Sequence, residues 1–248
     1  MRERRLIFPD VERLSVYAAR QWAARAAAAV AARGRFLVVL AGGETPRRLY
    51  VRLAQARFRR PLPWAQTILF WGDERMVSAT DAGSNYGQAR QEWLDQVSLP
   101  AENIRRIRGE LSAESAAQLY AEELRQSAEP GRAWPVFDLV LLGLGTDGHT
   151  ASLFPGPISA AEQTQPTLAV TAHYADRPAE RVTLTPPVFN DAREVWVLAA
   201  GENKAEIVAR VWSGEFNPEE WPIQRIRPKN GQLLWLVDAA AAGRHPQG

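Results

Sequence analysis

Phe137-Asp138-Leu139-Val140-Leu141-Leu142-Gly143-Leu144-Gly145-Thr146-Asp147-Gly148-His149-Thr150-Ala151-Ser152 decides how this chain is read. The apolar run Phe137–Leu142 does not alternate, which predicts a strand buried on both faces. It then breaks into three glycines within six residues. Glycines let backbone amides approach a ligand closely. In an open α/β sheet, ligands bind beyond the carboxyl ends of the strands. Asp147 and His149 therefore fall where chemistry is expected. Read as an extended segment, a spacing of two puts both side chains on one side. Asp147 would then orient the imidazole or accept a substrate hydroxyl. A lone histidine is more often a satisfied surface or core residue, but this glycine setting favours function. His173 sits in a polar segment and His245 in a tail expected to fray, so neither has such a setting.

Outward from this strand the same grammar repeats. Phe36–Leu40 reads as a strand, followed by a helix over Pro46–Ala56. Thr67–Trp71 reads as a second strand, followed by a helix over Tyr86–Val97 capped by Ser84 or Asn85. A further helix spans Ser112–Gln126. Val182–Leu184 is a short strand and Glu194–Ala200 a strong one. A helix follows over Lys204–Val211, and Leu233–Val237 is the last strand. Strands alternating with helices predict a mainly parallel Rossmann-like α/β sheet with helices on both faces. Pro155–Pro166 reads as a loop, not a linker, because strands flank it. The expected organisation is a single domain over residues 1–248.

Composition narrows the classes. The chain has 248 residues, 46% of them hydrophobic, which is enough for a sizeable core. Cysteine is absent, so disulfides and thiolate chemistry are excluded. Arginine supplies nearly all the cations, and Lys204 and Lys229 are the only lysines. A net charge of +2 does not suggest a nucleic-acid binder. The alanine-rich stretch Ala23–Ala32 carries Arg25 and is too weakly apolar for a membrane span; it reads as an amphipathic helix. It also lacks the order of a signal peptide, so a cytoplasmic protein is expected. Scattered histidines offer no zinc spacing, and no serine sits in a nucleophile elbow.

Four further segments carry candidate chemistry. In Ala41-Gly42-Gly43-Glu44-Thr45-Pro46, Pro46 suits a first helical turn and Thr45 an N-cap. Free amides at a helix start suit a phosphate, although an ordinary βα turn would look the same. In Gly72-Asp73-Glu74-Arg75, Arg75 could hold a carbonyl or phosphate oxygen and Asp73 a sugar hydroxyl. A salt-bridge cluster at the sheet rim is the competing reading. Asn85 nearby is read as a cap rather than a substrate contact. Arg181 begins a strand, and Lys204 stands at a helix start, against the dipole unless an anion is near. Together they could complete a phosphate site.

These pieces, in this order and spacing, resemble the 6-phosphogluconolactonase family. The match runs through Gly42–Pro46, Gly72–Arg75, Ser84-Asn85-Tyr86, Gly143–Pro155, Arg181–Thr185 and Gly201-Glu202-Asn203-Lys204-Ala205. Trp235-Leu236-Val237-Asp238 followed by alanines looks like that family's ending. The resemblance implies hydrolysis of 6-phospho-D-glucono-1,5-lactone in the oxidative pentose phosphate pathway, with no cofactor or metal, no nucleic acid and no membrane. It implies His149 as base for the attacking water, Arg75 as oxyanion stabiliser and Asp147 as the residue that positions His149 or a sugar hydroxyl. Gly42, Gly43, Thr45, Asp73, Gly148, Arg181 and Lys204 would bind substrate. It also implies kinship with glucosamine-6-phosphate isomerases and deaminases, in which the Asp-Gly-His is usually followed by Ile-Ala-Phe-Asn-Glu; here Thr150–Pro155 stands instead. A deaminase-type enzyme and a catalytically silent sugar-phosphate sensor are the alternatives. The family's phosphate loop often reads Ser-Gly-Gly-Ser-Thr-Pro, but Ala41 and Glu44 stand at the serine positions here. Glu44 must point away from the phosphate or pair with an arginine.

Overall fold

The computed structural model describes residues 2–173 and 178–244; His245 lies outside them. The first half of the chain runs β1 (Arg2–Phe8), α1 (Val11–Arg33), β2 (Phe36–Leu40), α2 (Glu44–Ala54), α3 (Ala56–Arg59), β3 (Thr67–Trp71), β4 (Asp73–Arg75), α4 (Asn85–Glu92), β5 (Ile104–Arg105) and α5 (Ala113–Ser127). The second half runs β6 (Leu139–Gly143), α6 (Ala160–Thr164), β7 (Thr167–Thr171), β8 (Glu180–Leu184), α7 (Pro186–Asn190), β9 (Glu194–Ala199), α8 (Ala205–Ser213) and β10 (Gln232–Asp238).

Seven strands form one sheet in the order β1-β10-β9-β6-β2-β3-β5, and every neighbouring pair is parallel. All residues of β2 and β9 are buried. Successive side chains of a strand point to opposite faces, so both faces of this sheet are covered. From β2 the chain proceeds outward through β3 to β5; from β6 it proceeds the other way through β9 to β10. The direction of winding therefore reverses between β2 and β6. Their ladder covers only Val38↔Leu139 and Val39↔Val140. Beyond it lies the switch-point crevice at which doubly wound sheets bind ligands.

A second, three-stranded antiparallel sheet, β4-β8-β7, joins the first at Gly72. The Gly72 N–H donates to the Leu40 carbonyl at 2.8 Å, and its own carbonyl accepts from Leu184 N–H at 2.7 Å. One residue thus closes the parallel ladder and opens the antiparallel one. In the new ladder Asp73 faces Thr183, and Arg75 faces Arg181.

Several elements differ from the sequence reading. The helix expected from Pro46 starts at Glu44, because Gly43 adopts φ 99° and is itself the N-cap. Thr45 is therefore in the first turn and not the cap. The Pro155–Pro166 loop contains α6, capped by the Ser159 hydroxyl, which accepts from Glu162 N–H. The helix expected over Tyr86–Val97 ends at Glu92, and Leu94–Gln96 forms a 3-10 turn. Strands β1, β4, β5 and β7 carried no clear pattern. β1 is a sheet edge whose first four residues are exposed charges, β4 and β5 are very short, and β7 is only partly buried. Among the described residues, no helix is long and apolar enough to cross a membrane.

Candidate active site

A cavity of about 620 Å³ opens at the switch point. The loop after β2 forms one wall and the loop after β6 the other. Of the residues singled out in the sequence, Gly42, Gly43, Thr45, Asp73, Arg75, His149, Arg181 and Lys204 all line it. Asp147 and Gly148 do not. Asp147 stands behind the histidine, and Gly148 is engaged with the opposite side of its loop.

The histidine loop is a tight turn, not the extended segment assumed from sequence. Gly148 N–H donates to the Gly145 carbonyl at 3.1 Å, and Gly145 N–H donates to the His149 carbonyl at 2.8 Å. The turn brings Asp147 Oδ1 to 2.5 Å from His149 Nδ1 and 3.2 Å from its backbone N–H. The carboxylate fixes the proton on Nδ1 and leaves the basic lone pair on Nε2. Gly145 is required here because a Cβ would lie 2.0 Å from His149 Nδ1 and 2.5 Å from Asp147 Oδ1. Gly148, at φ 84°, packs against Trp221, and its carbonyl accepts from Ile223 N–H at 3.0 Å.

The opposite loop is built on backbone. The first amides of α2 have no intrahelical acceptor and form the positive end of the helix dipole. Its start is fixed by Tyr50, whose hydroxyl donates to the Ala41 carbonyl at 2.7 Å and accepts from Ala41 N–H at 3.1 Å. Burial pushes the phenol pKa up, which keeps the donor proton in place. Tyr50 stacks on Trp93 at 5.5 Å and 15°. Glu44 pairs with Arg48 at 3.2 Å and lies 3.8 Å from Arg47. Both arginines line the cavity mouth, and sequence reasoning had not marked them.

Among the described residues, the charged strand end is held by hydrogen bonds and not by ion pairs. Asp73 Oδ2 accepts from the Ser152 hydroxyl at 2.7 Å, and Oδ1 accepts from Asn85 Nδ2 at 3.0 Å. Glu74 turns inward and accepts from Arg75, Asn85 and Tyr86 N–H and from the Ser84 hydroxyl. Burial raises its carboxyl pKa, against the pull of those hydrogen bonds. Arg75 Nη1 donates to the Gly83 carbonyl, and its Nε is buried without a hydrogen-bond partner among the described residues. Arg181 opposite on β8 and Lys204 on the loop after β9 join Arg75 and the α2 residues Arg47 and Arg48 in making the cavity wall cationic. Asp238, at the end of β10, accepts from Gly201 N–H at 3.1 Å and so holds the Lys204 loop.

Asn85 was misread. Ser84 is the cap, accepting from Gly87 N–H at 2.9 Å. Asn85 instead lines the cavity and holds Asp73. A Cβ on Gly42 would lie 2.0 Å from Asn85 Oδ1. The glycine after Ala41 is therefore a signal for a side chain pressed on it, as well as for a turn.

A family model described as glucosamine-6-phosphate isomerases/6-phosphogluconolactonase matches residues 9–235. The chain belongs to this family. It is 41% identical over 216 residues to a 6-phosphogluconolactonase of Synechocystis sp., covering 86% of each chain. It is 38% identical over 240 residues to a 6-phosphogluconolactonase of Homo sapiens, covering 95% of this chain and 91% of the relative. A 6-phosphogluconolactonase structure from Trypanosoma brucei superposes with a TM-score of 0.83 at 28% identity, covering 98% of both chains. The architecture and the enzyme class expected from the sequence agree with these relatives.

Proposed function

We propose that this chain hydrolyses 6-phospho-D-glucono-1,5-lactone to 6-phospho-D-gluconate, with His149 as the base, in the cytoplasm and as a single domain. The relatives' shared activity supports the reaction. The observation that supports the mechanism is a single cavity walled by the Asp147-braced His149, by Arg75, Arg181 and Lys204, and by the start of α2.

A lactone is an activated ester, so water can attack its carbonyl without a covalent enzyme intermediate. His149 Nε2 takes a proton from the water as its oxygen bonds to C1. Arg75 stabilises the tetrahedral oxyanion; one such donor is worth about 2.7–4 kcal/mol in transition-state energy. Collapse breaks the bond from C1 to the ring oxygen, and the imidazolium returns its proton to that oxygen. Asp147 keeps the imidazole in the required tautomer throughout. Asp73, held by Ser152 and Asn85, accepts a sugar hydroxyl. The 6-phosphate is gripped by the Gly42–Thr45 amides with Arg181 and Lys204.

The deciding assay uses freshly generated lactone, with spontaneous hydrolysis subtracted. Enzyme-dependent loss of lactone is expected. Ammonia release from glucosamine 6-phosphate would instead select the deaminase reading, and sugar-phosphate binding without turnover would select a sensor.

A further inference from the structure

Arg225 closes the 3-10 turn Pro222–Arg225, far in sequence from the histidine loop, and its side chain is only 4% exposed. Every nitrogen of its guanidinium is used. Nη1 donates to both carboxylate oxygens of Glu162 at 2.9 Å. Nη2 donates to the carbonyls of Phe154 at 3.2 Å and Gly156 at 3.0 Å. Nε donates to the Pro218 carbonyl at 2.8 Å. A buried ion pair is a weak source of stability, since desolvation offsets its attraction. What a planar guanidinium supplies is direction. The direction here ends on Phe154, whose ring lies 5.5 Å from that of His149, tilted by 53°, with the Arg181 guanidinium 5.9 Å away. The same segment presses Trp221 on Gly148 and gives Ile223 N–H to the Gly148 carbonyl. It therefore grips the sequence around His149 on both sides.

We infer that Arg225, paired with Glu162, is a positioning residue for the reaction: it holds Phe154 against His149 and so sets the imidazole's orientation in the cavity. This rests on His149 being the base. Loss of wild-type turnover in His149→Ala tests that assignment separately.

The test is steady-state lactone hydrolysis by the full chain, with thermal unfolding measured on each variant. Arg225→Met is expected to lower kcat roughly ten- to a hundredfold, the scale of a misplaced catalytic group, with KM changed less than about twofold. Phe154→Ala keeps the ion pair and is expected to lower kcat in the same way. Arg225→Lys, which restores the charge and a donor but not the fork, should recover part of the loss. The double variant Glu162→Leu/Arg225→Met replaces the pair by apolar groups and should regain thermal stability lost in the single variant. Its kcat should stay low, because the Phe154 and Gly156 carbonyls still lack their donor. Recovery of kcat together with stability in the double variant would make Arg225 purely structural and overturn the inference. Wild-type kcat in Phe154→Ala would overturn it as well.

Discussion

The two loops that face each other across the switch point are built on opposite plans. The loop after β2 offers backbone: glycines, a helix start, and a tyrosine that fixes Ala41 without entering the cavity. The loop after β6 offers side chains: an imidazole, its carboxylate and a glycine that exists to leave them room. On the proposed reading, backbone amides hold the phosphate without help from side chains, so Ala41 and Glu44 are tolerated where the family often has serines. Side-chain chemistry has no such tolerance, since each atom has one job. The first loop should therefore govern binding, and the second the chemical step.

The sharpest way to break this division is His149→Ala. It should reduce kcat by about 10²–10⁴, the usual worth of a general base, with little change in KM. Wild-type turnover would remove the assignment. Next is Gly145→Ala, whose Cβ collides with both members of the Asp147–His149 pair. Its kcat should fall by roughly 10²-fold through displacement alone, and an unchanged kcat in single-turnover measurements would show that the pair is not held as described. Lys204→Ala and Arg181→Ala probe the binding side. Each removes a charge-assisted contact worth about 1.5–3 kcal/mol, read as a rise in KM for the phosphorylated lactone and none for its unphosphorylated analogue. Equal effects on both substrates would place the phosphate elsewhere. The smallest effect is expected from Tyr50→Phe, which strands the Ala41 N–H and carbonyl. It should cost about 1–3 kcal/mol of stability by denaturant unfolding, with any kinetic effect confined to KM. A fall in kcat at constant KM would mean that the loops are not separable.

Much of the parallel sheet was legible because its strands are short apolar runs ended by glycine. Phe36–Leu40 and Thr67–Trp71 have the boundaries read from sequence. The second sheet was not, because β4 is three charged residues whose strand character comes only from pairing with β8. The same gap hid part of the site. Glu74 reads as one of three surface charges, yet it is buried and ties down the start of α4. Asn85 reads as a cap beside a second cap candidate, and only the fold shows which residue caps and which holds Asp73. Arg225 and Glu162 carry no local signal, because the pair joins segments 63 residues apart.

The sequence alone determined the fold class, the family likeness and the loops that bear chemistry, since buried strands and glycine-rich strand ends are local patterns written in neighbouring residues. Only the tertiary structure decided that Arg75 faces Arg181, that the Asp147 carboxylate meets His149 Nδ1, and that Arg225 and Trp221 reach the segment around His149. Those outcomes follow from strand pairing and close packing, which join residues that the linear order keeps apart.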